Sequence, residues 1–476
     1  MKKTLTLLLA LVMLLGVLAS CNNGKNTEEM TTVADQTLED EPDYLDSLPP
    51  LDLKNEQFNI LFTSQTEDFY MHYDYSGDIV GNAAYERNLC VEERFKTELN
   101  YIPKDGNSSG SVAFNNAIRT SMNAGEDAYD LILGQSYYCL SLATEGMYYD
   151  LNTTEYLNLE NEWYHSEINR YGVVNNKRWA ASGDFILSQI GWALSVAYNK
   201  DVVTAYFSDW DYDLYDLVRE GKWTYERFYE MSTAFGSHNG NDNDMYAFSY
   251  GNHTISGLMI GFGVDYVTQN ENGDWSILDF YDDHLIDAYN KVYDLCFNHD
   301  AIFLGDDVNN PGPASFDNLL FVIDYIHGLT ANEWVTENIQ KVGVLPMPKL
   351  NEAQSYRTYV QRNELFYIPI TADLKASAII TDALNQKTNE IVIPEYFGKV
   401  LQLQSAQSSE DSEMLGLIRE TLHYDFALFY NEATNYMVDS VSTYLMAGND
   451  SVTGWWAKNW ESLEYQIGKI PLKYAG

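Results

Sequence analysis

Positive charge is scarce in this chain: 28 Lys and Arg stand against 70 Asp and Glu, a formal net charge of −42. Phosphate binding needs clustered Lys and Arg, so a nucleic-acid partner is excluded. An anionic substrate is disfavoured too, except where a basic pocket acts within a Debye length of ~8 Å. Neutral or cationic ligands fit. Cysteine is scarcer still. Cys21, Cys90, Cys139 and Cys296 show no paired spacing, which excludes a zinc or redox motif and leaves room for at most one disulfide. The chain also lacks a nucleophile elbow, a metal triad and HExxH, so no catalytic residue and no cofactor is assigned. "NGNDNDMY" (Asn239 to Tyr246) offers calcium-like oxygens without the closing Glu and glycine placement of a calcium loop, and no metal is assigned there. No 20- to 50-residue repeat is present.

A membrane-spanning run is missing as well. Leu5 to Leu18 is apolar and uncharged but too short to span a bilayer comfortably, and with Lys2 and Lys3 before it reads as a cleaved export signal. It runs into Leu18-Ala19-Ser20-Cys21, which resembles the bacterial lipobox. The resemblance implies that residues 1–20 are removed and that the Cys21 thiol carries diacylglycerol, anchoring the chain outside the cell by its acyl chains. Residues 21–55, rich in Asn, Thr, Glu and Asp, cannot bury enough apolar surface to offset their ordering entropy and are expected to be a disordered acidic tether. As a flexible coil the tether spans about 30 Å.

About 420 residues follow, more than one core usually holds, so two domains of ~200 residues are expected. "EQFNILFT" (Glu56 to Thr63) alternates Phe58, Ile60 and Phe62 and reads as a strand. Ala84, Val91 and Phe95 fall at helical spacing, "LNYIP" reads as a second strand, Phe114, Ile118 and Met122 mark a helix that Gly125 ends, and "YDLILG" is a short buried strand. This β-α-β-α-β order predicts an α/β fold with a parallel sheet and right-handed crossovers. Ligands bind such sheets at the carboxyl ends of the strands, here Ser64 to Tyr70 and Gln135 to Cys139. Further along, "VVNNKRWAASGDF" reads as a hairpin with Asn175-Asn176 at its turn, Thr224 as a helix N-cap, "NLLFVIDYIHGL" and "VGVLPMPKL" as strands or strand–helix pieces, and the tail from Leu374 as mainly helical.

"YDLILG", "EGMYYDL", "AYNKDVV", "EGKWTYERF" and "VGVLPMPK", in that order, together resemble the carbohydrate-type extracellular solute-binding proteins of ABC importers, the maltose-binding-protein-like group. The resemblance runs from about Phe58 to Lys349 and more weakly through the tail. It implies a two-lobed periplasmic-binding-protein-like fold whose hinge the chain crosses about three times, near Trp163 to Arg170, Asn310 to Phe316 and Tyr367 to Asp373. It further implies an N-terminal lobe of residues 56–165 plus 316–368 and a C-terminal lobe of 166–315 plus 369–476. The implied partners are a neutral sugar or oligosaccharide and the permease subunits of an importer; a monomer is expected.

By the same resemblance Tyr137 and Tyr138, after the third strand, occupy a sugar-contacting position, and Trp192 in "GWALSVAYNK" faces the cleft. A flat ring there can stack on the C–H face of a pyranose; core packing is the alternative. His253 aligns with a contact loop, and Asp324 sits where a strand edge reaches the cleft. From the residues themselves, Gln65 and Gln135 supply amides able to pair with hydroxyls. Two rivals stay open: an extracellular glycan hydrolase, since paired carboxylates must occur among so many acids, and a receptor for peptides.

Overall fold

The computed structural model describes residues 44–66, 78–106, 109–235, 245–250, 252–270, 273–279, 281–297, 303–304, 316–331, 338, 341–361, 364–403 and 409–474. The signal, Cys21 and most of the tether lie outside them, as does nearly all of Asn239 to Tyr246.

The fold takes in residues that composition assigned to the tether. Tyr44–Ser47 forms a helical turn, Leu45 and Leu48 are buried, and Arg94 donates to the Leu45 and Leu48 carbonyls, each at 3.1 Å. Residues 44–55 therefore belong to the fold rather than to the expected tether, because Leu45, Leu48, Leu51 and Leu53 all reach the core while averaged composition hid them.

Strand β1 (Glu56–Thr63) lies parallel to β2 (Thr97–Lys104) and β3 (Leu131–Gln135). Helix Ile79–Phe95 makes the first crossover, started by the Asp78 carboxylate accepting from Gly81 N–H and ended by Lys96 in the left-handed region. Helix Ser111–Ala124 makes the second, and Gly125 at φ 67° stops it. Helices leave β1 no open face, so Leu61 is as buried as Phe58, Ile60 and Phe62. A short hairpin follows, β4 (Val173–Val174) and β5 (Lys177–Arg178), with Asn175 and Asn176 at φ 54° and 60° in its turn.

The second sheet is built from β6 (Leu194–Asn199), β7 (Tyr246–Tyr250), β10 (Phe303–Leu304), β11 (Leu319–Tyr325) and β12 (Val342–Leu345), in the order β10-β7-β11-β6-β12; β8 (Val267–Gln269) and β9 (Trp275–Ile277) form a side hairpin. β13 (Thr358–Tyr359) pairs with β15 (Leu422–His423), and β14 (Glu364–Tyr367) returns to the first sheet, antiparallel to β3. Each sheet with its helices is one lobe.

The lobe boundaries differ from those the resemblance suggested. β11 and β12 belong to the second sheet, not the first. All seven residues of β11 are buried, and such a run needs a central place with both edges paired and both faces covered. Conversely, helix Leu374–Lys387 and its continuation Ile393–Leu403 pack on helix Ile79–Phe95 of the first lobe. Among the described residues the chain passes between lobes between β3 and β6 and again between β12 and β14, and helix Ser409–Glu420, which packs on β12, lies in the other lobe from helix Ile393–Leu403. The second pass thus falls later than Asn310 to Phe316, and the change of lobe after Leu403 later than Tyr367 to Asp373.

Candidate functional site

The first two passes run side by side. Ala181 bridges Phe366 and Ala193 bridges Val360, and the Gln361 N–H donates to the Trp192 carbonyl at 3.2 Å. Trp192 caps the helical turn Ser188–Gly191, its N–H bonded to the Ser188 carbonyl at 2.9 Å. Its half-buried ring meets Tyr325 edge to face at 5.0 Å and lies 6.0 Å from His327. His253, exposed in the first turn of helix Asn252–Gly261, stands 6.1 Å from Tyr325, and the Gln361 amide donates to its Nε2 at 2.9 Å. Desolvation on its inner side holds the His253 imidazole below its ordinary pKa, with Asp439 opposing. Trp192 and His253, far apart in sequence, therefore share one cluster with Tyr325, His327 and Gln361.

Asp324 is placed differently. β11 is the central strand, so no edge is there; Asp324 is buried, its Oδ1 accepting from Tyr325 N–H at 2.7 Å and its carbonyl from Ser195 Oγ at 3.1 Å. The residue after it presents the aromatic edge.

On the first lobe, Gln65 follows β1 in the turn Ser64–Thr66, but both ends of its amide tie strand ends together. Nε2 donates to Asp105 Oδ1 at 2.8 Å, and Oε1 accepts from Gly106 N–H at 3.1 Å. Gln135 is buried at the end of β3, in register with Glu364. Tyr137 and Tyr138 part company. Tyr138 is a core residue, edge to face with Phe114 at 5.7 Å, and burial raises its hydroxyl pKa strongly. Tyr137 is half-buried and lines a groove of about 410 Å³ with Ser136, Ser141, Tyr430, Asn431 and Tyr474. Tyr137 and Trp192 thus do not line that groove together.

Glu364, in register with Gln135, is fully buried at the start of β14. Its carboxylate accepts from Thr63 Oγ1 and, at 2.6 Å, from Ser188 Oγ; its carbonyl accepts from Gln189 Nε2 at 2.5 Å. Sequence reasoning passed over Glu364, Gln361, Tyr325 and His327. The available signals were one acid heading the apolar run "ELFYIPI" and two aromatic rings alternating after Asp324 in "VIDYIHG". Among the described residues no group of three or more His, Cys, Asp or Glu is gathered to hold a metal ion.

No protein-family model matches the sequence, and no curated protein does. Solved structures do match along nearly their whole length. The sugar-binding protein MalE of Xanthomonas citri superposes with a TM-score of 0.58 at 10% identity, over 88% of this chain and 98% of that one. An ABC substrate-binding protein of Listeria monocytogenes in complex with cycloalternan gives 0.52 at 13%, over 87% and 98%. The GacH receptor of Streptomyces glaucescens, known unliganded and with acarbose, gives 0.51 at 12%, over 88% and 98%. The fold is that of the ABC-importer solute-binding proteins. In this solute-binding fold the seam formed by residues 181–193 and 360–366 joins the two lobes, and the Trp192–Tyr325–His253 cluster sits beside it.

Proposed function

We propose that the chain is the substrate-binding receptor of an ABC importer, anchored by lipid on Cys21 to the outer face of the cell membrane, and that it captures a neutral sugar or oligosaccharide between its lobes and delivers it to permease subunits. The observation that carries this reading is the full-length match to sugar-binding receptors at the level of fold. The aromatic cluster at the seam supports it, since flat rings beside amide and imidazole groups suit a ligand with apolar C–H faces and neutral hydroxyls. So does the net charge, which disfavours anionic solutes. Trp192, His253 and Tyr137 are the contacts we assign, while Gln65 is engaged by Asp105 and Gly106 and Gln135 is buried at the end of β3; the chain acts as a monomer.

Closure needs no chemistry. A ligand touched by both lobes when shut and by one when open stabilises the shut form through that difference alone. Micromolar affinity corresponds to about −8 kcal/mol, within reach of two ring stacks and several hydroxyl hydrogen bonds after ordering costs. Thermal-shift and calorimetric screening of the purified chain against neutral oligosaccharides, polyols and peptides tests the assignment. A saturable rise in melting temperature with a sugar or polyol supports it, and a response to peptides alone overturns the sugar assignment. New reducing ends after incubation with glycans would instead establish the hydrolase.

A further inference from the structure

We propose that Glu364 is the positioning residue of the interlobe joint, fixing the Trp192 side of the cluster against the carboxyl end of β1; the proposal rests on the receptor reading above. The path is short and continuous. Thr63, the last residue of β1, donates its hydroxyl to one carboxylate oxygen of Glu364, and Ser188 donates to the other at 2.6 Å. The Ser188 carbonyl then accepts the Trp192 N–H at 2.9 Å. Thr63, Ser188 and Glu364 are all fully buried.

Geometry separates this joint from ordinary packing. The turn Ser188–Gly191 belongs to the first pass between lobes and also packs on helix Ile326–Ala331, which follows β11 in the second lobe. β1 and β14 belong to the first. A carboxylate accepts at both oxygens in one plane, so it holds two hydroxyls at a set separation, which an apolar side chain of the same volume cannot do. The ordering of those hydroxyls sets where Trp192 stands relative to the first-lobe loops after β1 and β3. The Gln189 amide, bonded to the Glu364 carbonyl at 2.5 Å, keeps the main chain tied when the carboxylate is altered, so variants retain a folded seam.

The test places spin labels at Val112→Cys, exposed on first-lobe helix Ser111–Ala124, and at Tyr206→Cys, exposed on second-lobe helix Lys200–Phe207. The full chain is used with Cys21 and Cys90 changed to Ser; Cys139 and Cys296 are buried. Interlobe distances by double electron–electron resonance, the melting temperature and affinity for maltotriose are measured for Thr63→Val, Ser188→Ala, Glu364→Ala and Glu364→Gln. Thr63→Val and Ser188→Ala are expected to broaden the distance distribution and to weaken maltotriose binding about tenfold, the order of one buried hydrogen bond, while unfolding stays cooperative. Glu364→Gln, which can still accept from one hydroxyl and donate to the other, restores a narrow distribution that Glu364→Ala does not. Unchanged distances in both hydroxyl variants, or Gln no better than Ala, would reduce Glu364 to core packing. Failure of the unaltered chain to bind maltotriose counts against the sugar assignment, while the distance measurement still decides the role of Glu364.

Discussion

Trp192 and Tyr325 meet edge to face with ring centroids 5.0 Å apart and planes at 60°, one ring from the first pass between lobes and the other from the end of the central strand of the second sheet. Trp192 is half-buried in that contact, and the receptor reading makes its ring a ligand contact. Trp192→Ala is expected to weaken sugar binding by about 10- to 100-fold, the range of a central aromatic anchor. Trp192→Phe, which keeps the contact with Tyr325, should recover most of it. Isothermal titration with the sugar found by screening measures both, and equal affinities for all three proteins would make Trp192 a packing residue.

Tyr44 anchors the helical turn Tyr44–Ser47 by donating its hydroxyl to Asp382 at 2.8 Å, beside Trp163 Nε1 at 3.1 Å and the Tyr164 hydroxyl at 2.6 Å on the same carboxyl group. Tyr44→Phe should cost about 1–2 kcal/mol, since two of three donors remain. Compared with a chain that begins at residue 44, one that begins at residue 56 should be less stable by several kcal/mol, because burial of Leu45 and Leu48 is lost at about 1.5–3 kcal/mol each. Urea unfolding of the three chains is the measurement.

What could be read from the residues was local. The Phe58–Ile60–Phe62 alternation, the stop at Gly125 and the Asn175-Asn176 turn each depend on neighbours in sequence, and each matches its element. Long-range partners were not legible. Nothing in "NLLFVIDYIHGL" says that its strand pairs with β6 and β7 rather than with β3. Nothing near Gln65 says that Asp105 will take its amide. The adjacent tyrosines 137 and 138 looked alike because a pair of neighbours always offers two faces, and only the fold chooses which one is turned to the core. Glu364 was invisible for the same reason, since Thr63 and Ser188, which donate to its carboxyl group, come from a distant strand and a distant turn.

Lipidation of Cys21 makes a direct prediction. In cells, Cys21→Ser should abolish incorporation of labelled fatty acid and move the protein from the membrane fraction to the soluble one, because one acyl chain holds a protein marginally, two hold it stably and none holds it at all. Persistent membrane association of the Ser variant would require another anchor.

The dependence of stability on pH follows from Asp425. It is fully buried, with its carboxyl accepting from Ala427 N–H at 2.6 Å and Tyr266 N–H at 2.8 Å. Burial, with the Asp265 carboxylate beside it, outweighs those donors and pushes its pKa up to about 8, from 3.8 in an unfolded chain. Between these values the folded state keeps a proton that the unfolded state has released. Stability is therefore fully present below about pH 4 and falls as pH rises through 8, with a slope approaching about 1.4 kcal/mol per unit. Asp130, raised to about 6 by burial, adds the same sign at the lower end of that window. Asp184 works the other way: burial would raise it, but His165 and Arg419 overcome that and hold it below 3.8, so its contribution is lost only as pH falls below about 4. The melting temperature should thus be higher at pH 5 than at pH 8. Asp425→Asn should flatten the decline between pH 6 and 8 and leave the acid limb in place. Calorimetric scans across that range decide it; a melting temperature that climbs toward pH 8, or a decline equally steep in the Asn variant, would show that the Asp425 carboxyl is ionised inside the folded chain and held so by its two backbone donors.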